Sequence, residues 1–83
     1  MSYEKVQQVQ SRLIIGTKQT LKALKNAAVS EVFIAEDADQ QIIQKVERLA
    51  REVNVPCQRV DSMKRLGRAS GIDVGASAVA VKE

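Results

Sequence analysis

Histidine and tryptophan are absent from this sequence, and the aromatic residues are limited to Tyr3 and Phe33. Histidine is the most common general acid or base in enzymes, and a serine or cysteine nucleophile normally needs a neighbouring base. The composition therefore argues against catalysis. The same shortage removes the aromatic platforms on which many RNA-binding domains stack single-stranded bases.

The chain also has only one cysteine, Cys57. A single thiol without histidine cannot form an intramolecular disulfide or a zinc site, so we expect a reducing, cytoplasmic setting and no metal or other cofactor. We expect Cys57 itself to be a small buried apolar side chain without a redox role. No apolar run resembles a signal peptide or approaches the roughly 20 residues of a membrane span, so export and membrane insertion are not expected.

What remains is the composition of one small soluble domain. With 83 residues, 45% of them apolar and 28% charged, the chain can bury one core and is not expected to be disordered. The formal net charge of +3 is a weak preference for polyanions, because ten acidic residues can confine the positive potential to one face. The positions of the cations must therefore decide the function.

Segments with strand and helix patterns alternate along the chain. We predict helices at residues 2–10, 18–27, 40–53 and 62–70, and strands at residues 12–15, 31–35, 56–60 and 76–81. This alternation predicts an α/β fold in the form of a three-layer α/β/α sandwich. The first helix is expected at the sheet edge. The last strand, rich in alanine, serine and valine, is expected to be central and covered by helices.

The helix starts and faces can also be predicted. Thr17 and Asp39 are the expected N-caps of the second and third helices, and Asp61 or Ser62 is expected to cap the fourth. The second helix should direct Leu21, Leu24 and Ala28 inward and Lys18, Lys22 and Lys25 outward, while the fourth should bury Met63, Leu66 and Ala69.

The turn from the first strand into the second helix has the features of an anion site. Gly16 permits a sharp turn, and the helix start offers unpaired N–H groups and roughly half a positive charge beside Lys18 and Lys22. It is not a nucleotide-binding P-loop, because the first glycine and the Gly-Lys-Ser/Thr order are missing. In an open α/β sheet such turns gather at one end, which would bring residues 16–19, 36–39 and 61–64 together.

Four ordered segments of the sequence form a recognisable pattern: residues 15–22 (IGTKQTLK), 35–39 (AEDAD), 55–56 (VP) leading to 62–67 (SMKRLG), and 71–76 (GIDVGA). On these motifs the chain resembles the L7Ae/L30e family of kink-turn RNA-binding ribosomal proteins, most closely its small bacterial members. The resemblance covers nearly the whole chain. It implies a four-stranded mixed sheet and a surface that holds a sharply bent RNA through its tandem sheared G·A pairs.

The resemblance also implies roles for individual residues. Lys18 and Gln19 would contact the exposed guanines and Lys22 a phosphate, while Gly16 and Thr17 shape the turn and offer backbone N–H groups. A second set would lie near a nucleotide turned out at the kink: Ile72, Val74, Gly75 and Ala76 in an apolar loop, with Asp39 and Ile43 beside it.

The sequence departs from the commonest family pattern at two points. Lys18-Gln19 replaces the usual Asn-Glu, which exchanges an acceptor carboxylate for an amide that both donates and accepts and adds a cation. Met63 stands where some relatives have a lysine, so the cationic contact would pass to Lys64 or be absent. The basic residues Lys64, Arg65 and Arg68 either simply keep one helix face solvated or contact phosphate, and the position at the sheet end favours Lys64 for such a contact.

The expected partner is an RNA that contains a kink-turn, whether ribosomal RNA, a riboswitch or a ribozyme, bound by a monomer that could reside on the ribosome. The alternative is a protein-interaction module that docks on a ribosomal or RNA-processing complex through the loop around Val74. An enzyme is the third and weakest reading.

Overall fold

The structure is a computed structural model that describes residues 3–83. Along the chain it contains the following elements: α1 (Tyr3–Gln8), a 3-10 helix (Gln10–Arg12), β1 (Leu13–Ile15), α2 (Thr17–Lys25), β2 (Val29–Ala35), α3 (Gln40–Glu52), β3 (Cys57–Val60), α4 (Met63–Ala69) and β4 (Ala78–Lys82). Position 2 of the predicted first helix lies outside the described residues. Within residues 3–83, no helix is long and apolar enough to span a bilayer.

The four strands form one mixed sheet in the order β1-β4-β2-β3. β4 is antiparallel to both β1 and β2, whereas β2 and β3 are parallel. The predicted mixed sheet and the central position of the last strand are therefore confirmed. Because β1, β2 and β3 run in the same direction, their carboxyl ends meet at one end of the sheet, where β4 begins.

Helices cover both faces of the sheet, which confirms the three-layer sandwich. Residues 31–35 of β2 are all buried, and neighbouring side chains of a strand point to opposite faces, so both faces must be covered. α2 and α3 pack together on one face, where α2 contacts β1 and β4 and α3 contacts β2 and β3. α1 packs against α4.

The predicted position of α1 at the sheet edge is wrong. Val6 is fully buried, and Lys5 Nζ lies 2.7 Å from the buried Glu31 carboxylate on the interior strand β2. α1 therefore lies over the face of the sheet beside α4. The apolar side chains of Tyr3 and Val6 must be buried against other apolar side chains, and the face of the sheet offers these while its edge does not.

The helix boundaries confirm several predictions and correct others. Asp39 caps α3 by accepting a hydrogen bond from the Gln41 N–H (2.8 Å), and Ser62 caps α4 by accepting from the Arg65 N–H (3.2 Å). Thr17 as the N-cap of α2 is wrong, because Gly16 occupies that position and Thr17 is already helical.

The inward face of α2 is also different from the prediction. Leu24 is fully buried as expected, but Thr20 and Ala23 take the other inward positions. Ala28 is exposed because α2 ends at Lys25, so helical periodicity no longer applies there, and Leu21 is only partly buried. In α4, Leu66 and Ala69 are buried as predicted and Met63 is half-buried.

The strand ends differ by a few residues. β2 begins at Val29 and not at residue 31, because the exposed Ser30 interrupts the apolar pattern beside a register irregularity in its pairing with β4. β4 begins at Ala78 and not at residue 76, because the Ala76 N–H donates to the Met63 carbonyl oxygen (3.0 Å) instead of joining the sheet.

The loop before β4 lies directly on α4 at a glycine. A Cβ atom added to Gly67 would meet the Val74 carbonyl oxygen at 1.9 Å, and the Ile72 N–H donates to the Gly67 carbonyl oxygen at 3.0 Å. Only a residue without a side chain permits this approach. Gly67 therefore determines where the loop that carries Val74 can lie.

We predict that Gly67→Ala destabilises the protein by about 1–3 kcal/mol or more, because the new methyl group forces the loop away from α4. Gly75→Ala is the comparison variant, since its Cβ would come no closer than 3.3 Å to Met63, against 1.9 Å between a Cβ at Gly67 and the Val74 carbonyl oxygen. Thermal or urea unfolding of both variants tests this. Equal stability of the two would contradict the packing described.

Candidate nucleic-acid interface

Three strand-to-helix turns and the loop before β4 meet at one end of the sheet. Backbone hydrogen bonds join them: the Gly16 N–H donates to the Ala78 carbonyl oxygen (3.0 Å), the Ala35 N–H to that of Ser77 (2.9 Å), and the Glu36 N–H to that of Val60 (2.7 Å). We call residues 16–22, 36–39, 62–64 and 72–76 the turn surface. The fold thus brings together the segments that the sequence analysis placed at one end.

The start of α2 differs from the starts of α3 and α4. Gly16 has φ 113° and ψ 153°, a backbone conformation essentially restricted to glycine, and no side chain caps the first turn. The helices that start at Gln40 and Met63 are capped by Asp39 and Ser62. Among the helices that begin on the turn surface in the described chain, α2 is therefore the one whose first N–H groups lack a side-chain acceptor.

Gln19 folds back over Gly16. A Cβ on Gly16 would lie 2.6 Å from Gln19 Oε1, so the missing side chain makes room for the carboxamide. Lys18 and Gln19 are both exposed. Both polar groups can therefore meet a ligand without rearrangement of the backbone.

The cations of the turn surface have no ionic partners among the residues that the structure describes. In residues 3–83, the ion pairs are Lys5–Glu31, Arg59–Glu47 and Arg65–Asp61. Lys18, Lys22 and Lys64 are exposed and belong to none of these pairs. Their charges are available to an external anion.

The acidic turn at residues 36–39 has a structural task. Asp37 Oδ1 accepts a hydrogen bond from the Met63 N–H at 2.8 Å, and Asp39 caps α3. Both carboxylates lie at helix N-termini, where negative charge is favourable. Glu36 is exposed and is the remaining acidic side chain in this turn.

Met63 connects α4 to the loop before β4 and is packed partly against the core. Its carbonyl oxygen accepts from the Ala76 N–H at 3.0 Å, and its sulfur lies 3.7 Å from Ser77 Oγ. It cannot replace a lysine at the surface. Lys64, the next residue of α4, is exposed, and whether it takes over the cationic contact or the contact is absent stays a prediction.

The loop before β4 presents one apolar side chain to solvent. Val74 is 70% exposed, whereas Ile72 is half-buried against the core. Gly75 is exposed and lies close to Met63. Val74 is thus the side chain of this loop that can make an apolar contact with a ligand.

Two residues that the resemblance places near the RNA have buried side chains, and their predicted roles stay predictions. Ile43 is 1% exposed because it belongs to the apolar stripe of α3, and Ala76 is 4% exposed beneath the loop. These side chains offer little surface to a ligand, whereas the backbone around them is not excluded from contact. The remaining predicted residues of the site are exposed or half-buried.

The model of the "Ribosomal protein L7Ae/L30e/S12e/Gadd45 family" matches residues 1–83. The chain belongs to this family. It is 58% identical over 81 residues to "RNA-binding protein YbxF" of Geobacillus stearothermophilus, with 98% of each chain covered. It is 57% identical over 83 residues to "RNA-binding protein BH0128" of Halalkalibacterium halodurans, with both chains covered completely.

A solved structure supports the fold of this family member. The "Giardia lamblia 15.5kD RNA binding protein" superposes with a TM-score of 0.91 at 24% sequence identity, covering 98% of this chain and 70% of that one. The family and the two curated relatives are non-enzymatic RNA binders. The protein is a non-enzymatic member of the family, as the missing histidines predicted.

A contact between Tyr3 and the start of α4, which the sequence did not predict, supports the turn surface from the side of α1. The Tyr3 hydroxyl accepts from the Ser62 N–H (3.0 Å) and donates to Asp61, while the Arg65 guanidinium lies 4.7 Å from the centre of the Tyr3 ring. Burial raises the pKa of Tyr3, and the hydrogen bond from Tyr3 lowers the pKa of Asp61. The partners are 58 and 59 residues apart in sequence, and no local pattern could reveal them.

Cys57 lies away from the turn surface, on β3. It is half-buried and lines a cavity of about 290 Å³ with Glu47, Arg51 and Val55. Burial, together with the negative charge of Glu47, raises the pKa of its thiol to about 11. The thiol is therefore protonated at neutral pH and is a poor nucleophile.

We predict that Cys57 in the folded protein reacts more slowly with iodoacetamide at pH 8 than in urea-unfolded protein. Because the pKa is raised to about 11 in the fold, the native rate should increase with pH up to that value. Mass spectrometry after timed quenching measures both rates. A native rate that levels off near pH 8.5 would contradict the raised pKa.

Proposed function

We propose that this protein binds RNA through the turn surface and selects the kinked state of a kink-turn with tandem sheared G·A pairs. The observation that carries the proposal is the uncapped start of α2, where Lys18 and Gln19 are exposed and have no partner in the described chain. The relatives reported above are named RNA-binding proteins, which favours RNA over other polyanions.

The side chains at this helix start suit purine edges. A guanine displays two acceptors, O6 and N7, on its major-groove edge, which a lysine ammonium or an amide N–H can meet. The Gln19 carboxamide can also accept from a base amino group. Regular A-form RNA hides these edges in a deep, narrow groove, and a kink that opens this groove would expose them.

The backbone of the RNA would be held by charge. Lys22 lies one helical turn beyond Lys18, and Lys64 offers a cation from α4. The free N–H groups at the start of α2 can donate to phosphate oxygens. These contacts carry little sequence information but add salt-dependent affinity.

Val74 provides the apolar part of the proposed surface. A nucleotide turned out of the helix at a kink exposes a base face that an apolar side chain can cover. Since Val74 is 70% exposed at rest, it can make this contact without leaving a core position. A straight duplex has no extruded base to place there.

The proposed mechanism is a shift of population. Free RNA samples extended and kinked forms, and a surface that fits the kinked form raises its share by the difference in binding free energy. The protein then needs no cofactor, and it would act as a monomer in the cytoplasm on ribosomal RNA, a riboswitch or a ribozyme. Association with the ribosome follows only if the target is ribosomal.

A protein-interaction module remains the alternative, because an exposed valine could also dock on a protein. The core of a protein–protein interface usually contains several large apolar residues, and a single exposed valine supplies only one. The two functions are separated by titration against a kink-turn duplex and a copy with Watson–Crick pairs in place of the G·A pairs. Fluorescence transfer between the RNA ends follows the bending. Equal affinity for both RNAs would contradict kink-turn selection.

We predict that Gln19→Ala weakens binding to the kink-turn RNA by roughly 1–3 kcal/mol and binding to a plain duplex by less, because a base contact is lost. Titration calorimetry or anisotropy measures both. Gln44→Ala, a change of the same kind on the exposed face of α3, is the control and should leave both affinities unchanged. Equal losses on the two RNAs would remove the base-reading role of Gln19.

Lys22→Ala should weaken binding to both RNAs to a similar extent, because a phosphate contact does not depend on sequence. The slope of log affinity against log salt should become shallower by about one ion. Lys45→Ala, an exposed lysine on α3, is the matched control for charge. An unchanged slope for Lys22→Ala would show that Lys22 does not contact phosphate.

A further inference from the structure

We propose that the cavity between α1 and α4 binds a phosphate group of the RNA backbone, in the stem next to the segment held on the turn surface. The inference rests on the proposed function and names a second place where the same RNA is held. The cavity measures about 260 Å³ and is lined by Tyr3, Gln7, Arg65, Arg68 and Ala69.

The polar groups of this cavity are those that bind phosphate. Arg65 and Arg68 lie three residues apart on α4, so their side chains are neighbours on the helix surface. Gln7 adds an amide from α1. Guanidinium groups present several N–H donors in a planar array that matches phosphate oxygens.

One of the two arginines is held in place and the other is free. The Arg65 guanidinium stacks 4.7 Å from the Tyr3 ring centre, and its Nη1 lies 3.7 Å from Asp61 Oδ2. Arg68 is exposed, and in residues 3–83 no carboxylate lies within ion-pair distance of it. The cavity thus offers a pre-oriented cation together with an unneutralised one.

The surrounding charges distinguish this cavity from the other arginine-lined hollows. A cavity of about 290 Å³ beside Arg51 and one of about 190 Å³ beside Arg48 and Arg51 both include Glu47 in their walls. A carboxylate in the wall opposes the binding of an anion. The described lining of the α1–α4 cavity has no carboxylate, although the exposed Asp61 lies beside Arg65 and Glu4 is next to Tyr3 in sequence.

The cavity and the turn surface are both formed in part by α4. Lys64 and Arg68 are four residues apart on α4, which places them on the same side and about 6 Å apart along the helix axis. Met63, just before Lys64, is hydrogen-bonded to both the acidic turn and the loop before β4. An RNA strand that leaves the turn surface past Lys64 therefore meets Arg68 next. In this proposal, the basic residues of α4 bind phosphate in addition to keeping a helix face solvated.

The test uses Arg68→Gln with Arg48→Gln as the matched control, because both arginines are exposed, unpaired in the described chain and on opposite faces of the sheet. Both variants should melt like the wild type. Arg68→Gln should weaken binding to a kink-turn RNA several-fold and reduce the salt slope by about one ion. Arg48→Gln should change neither. The same comparison is made with two further RNAs, in each of which one stem is shortened. The loss of affinity caused by Arg68→Gln should disappear for one of these RNAs and persist for the other.

Three results would overturn the proposal. The first is an equal RNA affinity of Arg68→Gln and Arg48→Gln, and the second is a loss of affinity in Arg68→Gln that persists when both stems are shortened. The third is arginine side-chain NMR signals that respond to millimolar inorganic phosphate while Arg68→Gln leaves the RNA affinity unaffected. The last result would assign the cavity to free phosphate. Failure of kink-turn selection is recognised separately, by equal affinity of the wild type for the RNAs with and without G·A pairs.

Discussion

The insertion of β4 between β1 and β2, antiparallel to both, is the constraint on which the rest of this structure depends. It leaves β1, β2 and β3 running in one direction, so that every helix that follows a strand starts at the same end of the sheet. It also brings the loop before β4 to that end. The small buried side chains of β4, from Ala78 to Val81, allow helices to pack closely on both faces. The strand order therefore determines which turns and which loop lie together at this end of the sheet.

Within that end, the chemistry depends on which helix starts are already satisfied. Asp39 and Ser62 cap α3 and α4, and Asp37 binds the Met63 N–H, so these polar groups stabilise the fold. α2 has only Gly16 at its cap position, and its first N–H groups have no side-chain acceptor. The same physical feature, the unpaired amides of a helix start, is thus structural in two places and available for binding in a third.

Much of the fold follows from local pattern. The stripe of α3 from Ile42 to Val53, the cap at Asp39 and the central, alanine-rich last strand are visible in the sequence because periodicity and capping are local. Errors arose where tertiary contacts decide. α2 starts one residue earlier than a threonine cap would suggest, since Gly16 adopts a conformation closed to other residues. Ile43 and Ala76, which the resemblance places near the RNA, are buried by their neighbours. Whether a residue of a motif is accessible depends on the elements that cover it.

The sequence by itself determined the class of the protein: an α/β fold without histidine, with a glycine-led helix start among lysines and the motifs of an RNA-binding family. Those properties depend on the composition of the chain and on residues only a few positions apart in the sequence. Only the tertiary structure decided that Tyr3 supports the start of α4, that Gly67 lets the Val74 loop lie on that helix, and that Arg65 and Arg68 share a cavity with α1. These contacts join residues that are far apart in the sequence. Their proximity in space results from the packing of helices and strands, which a local sequence pattern does not reveal.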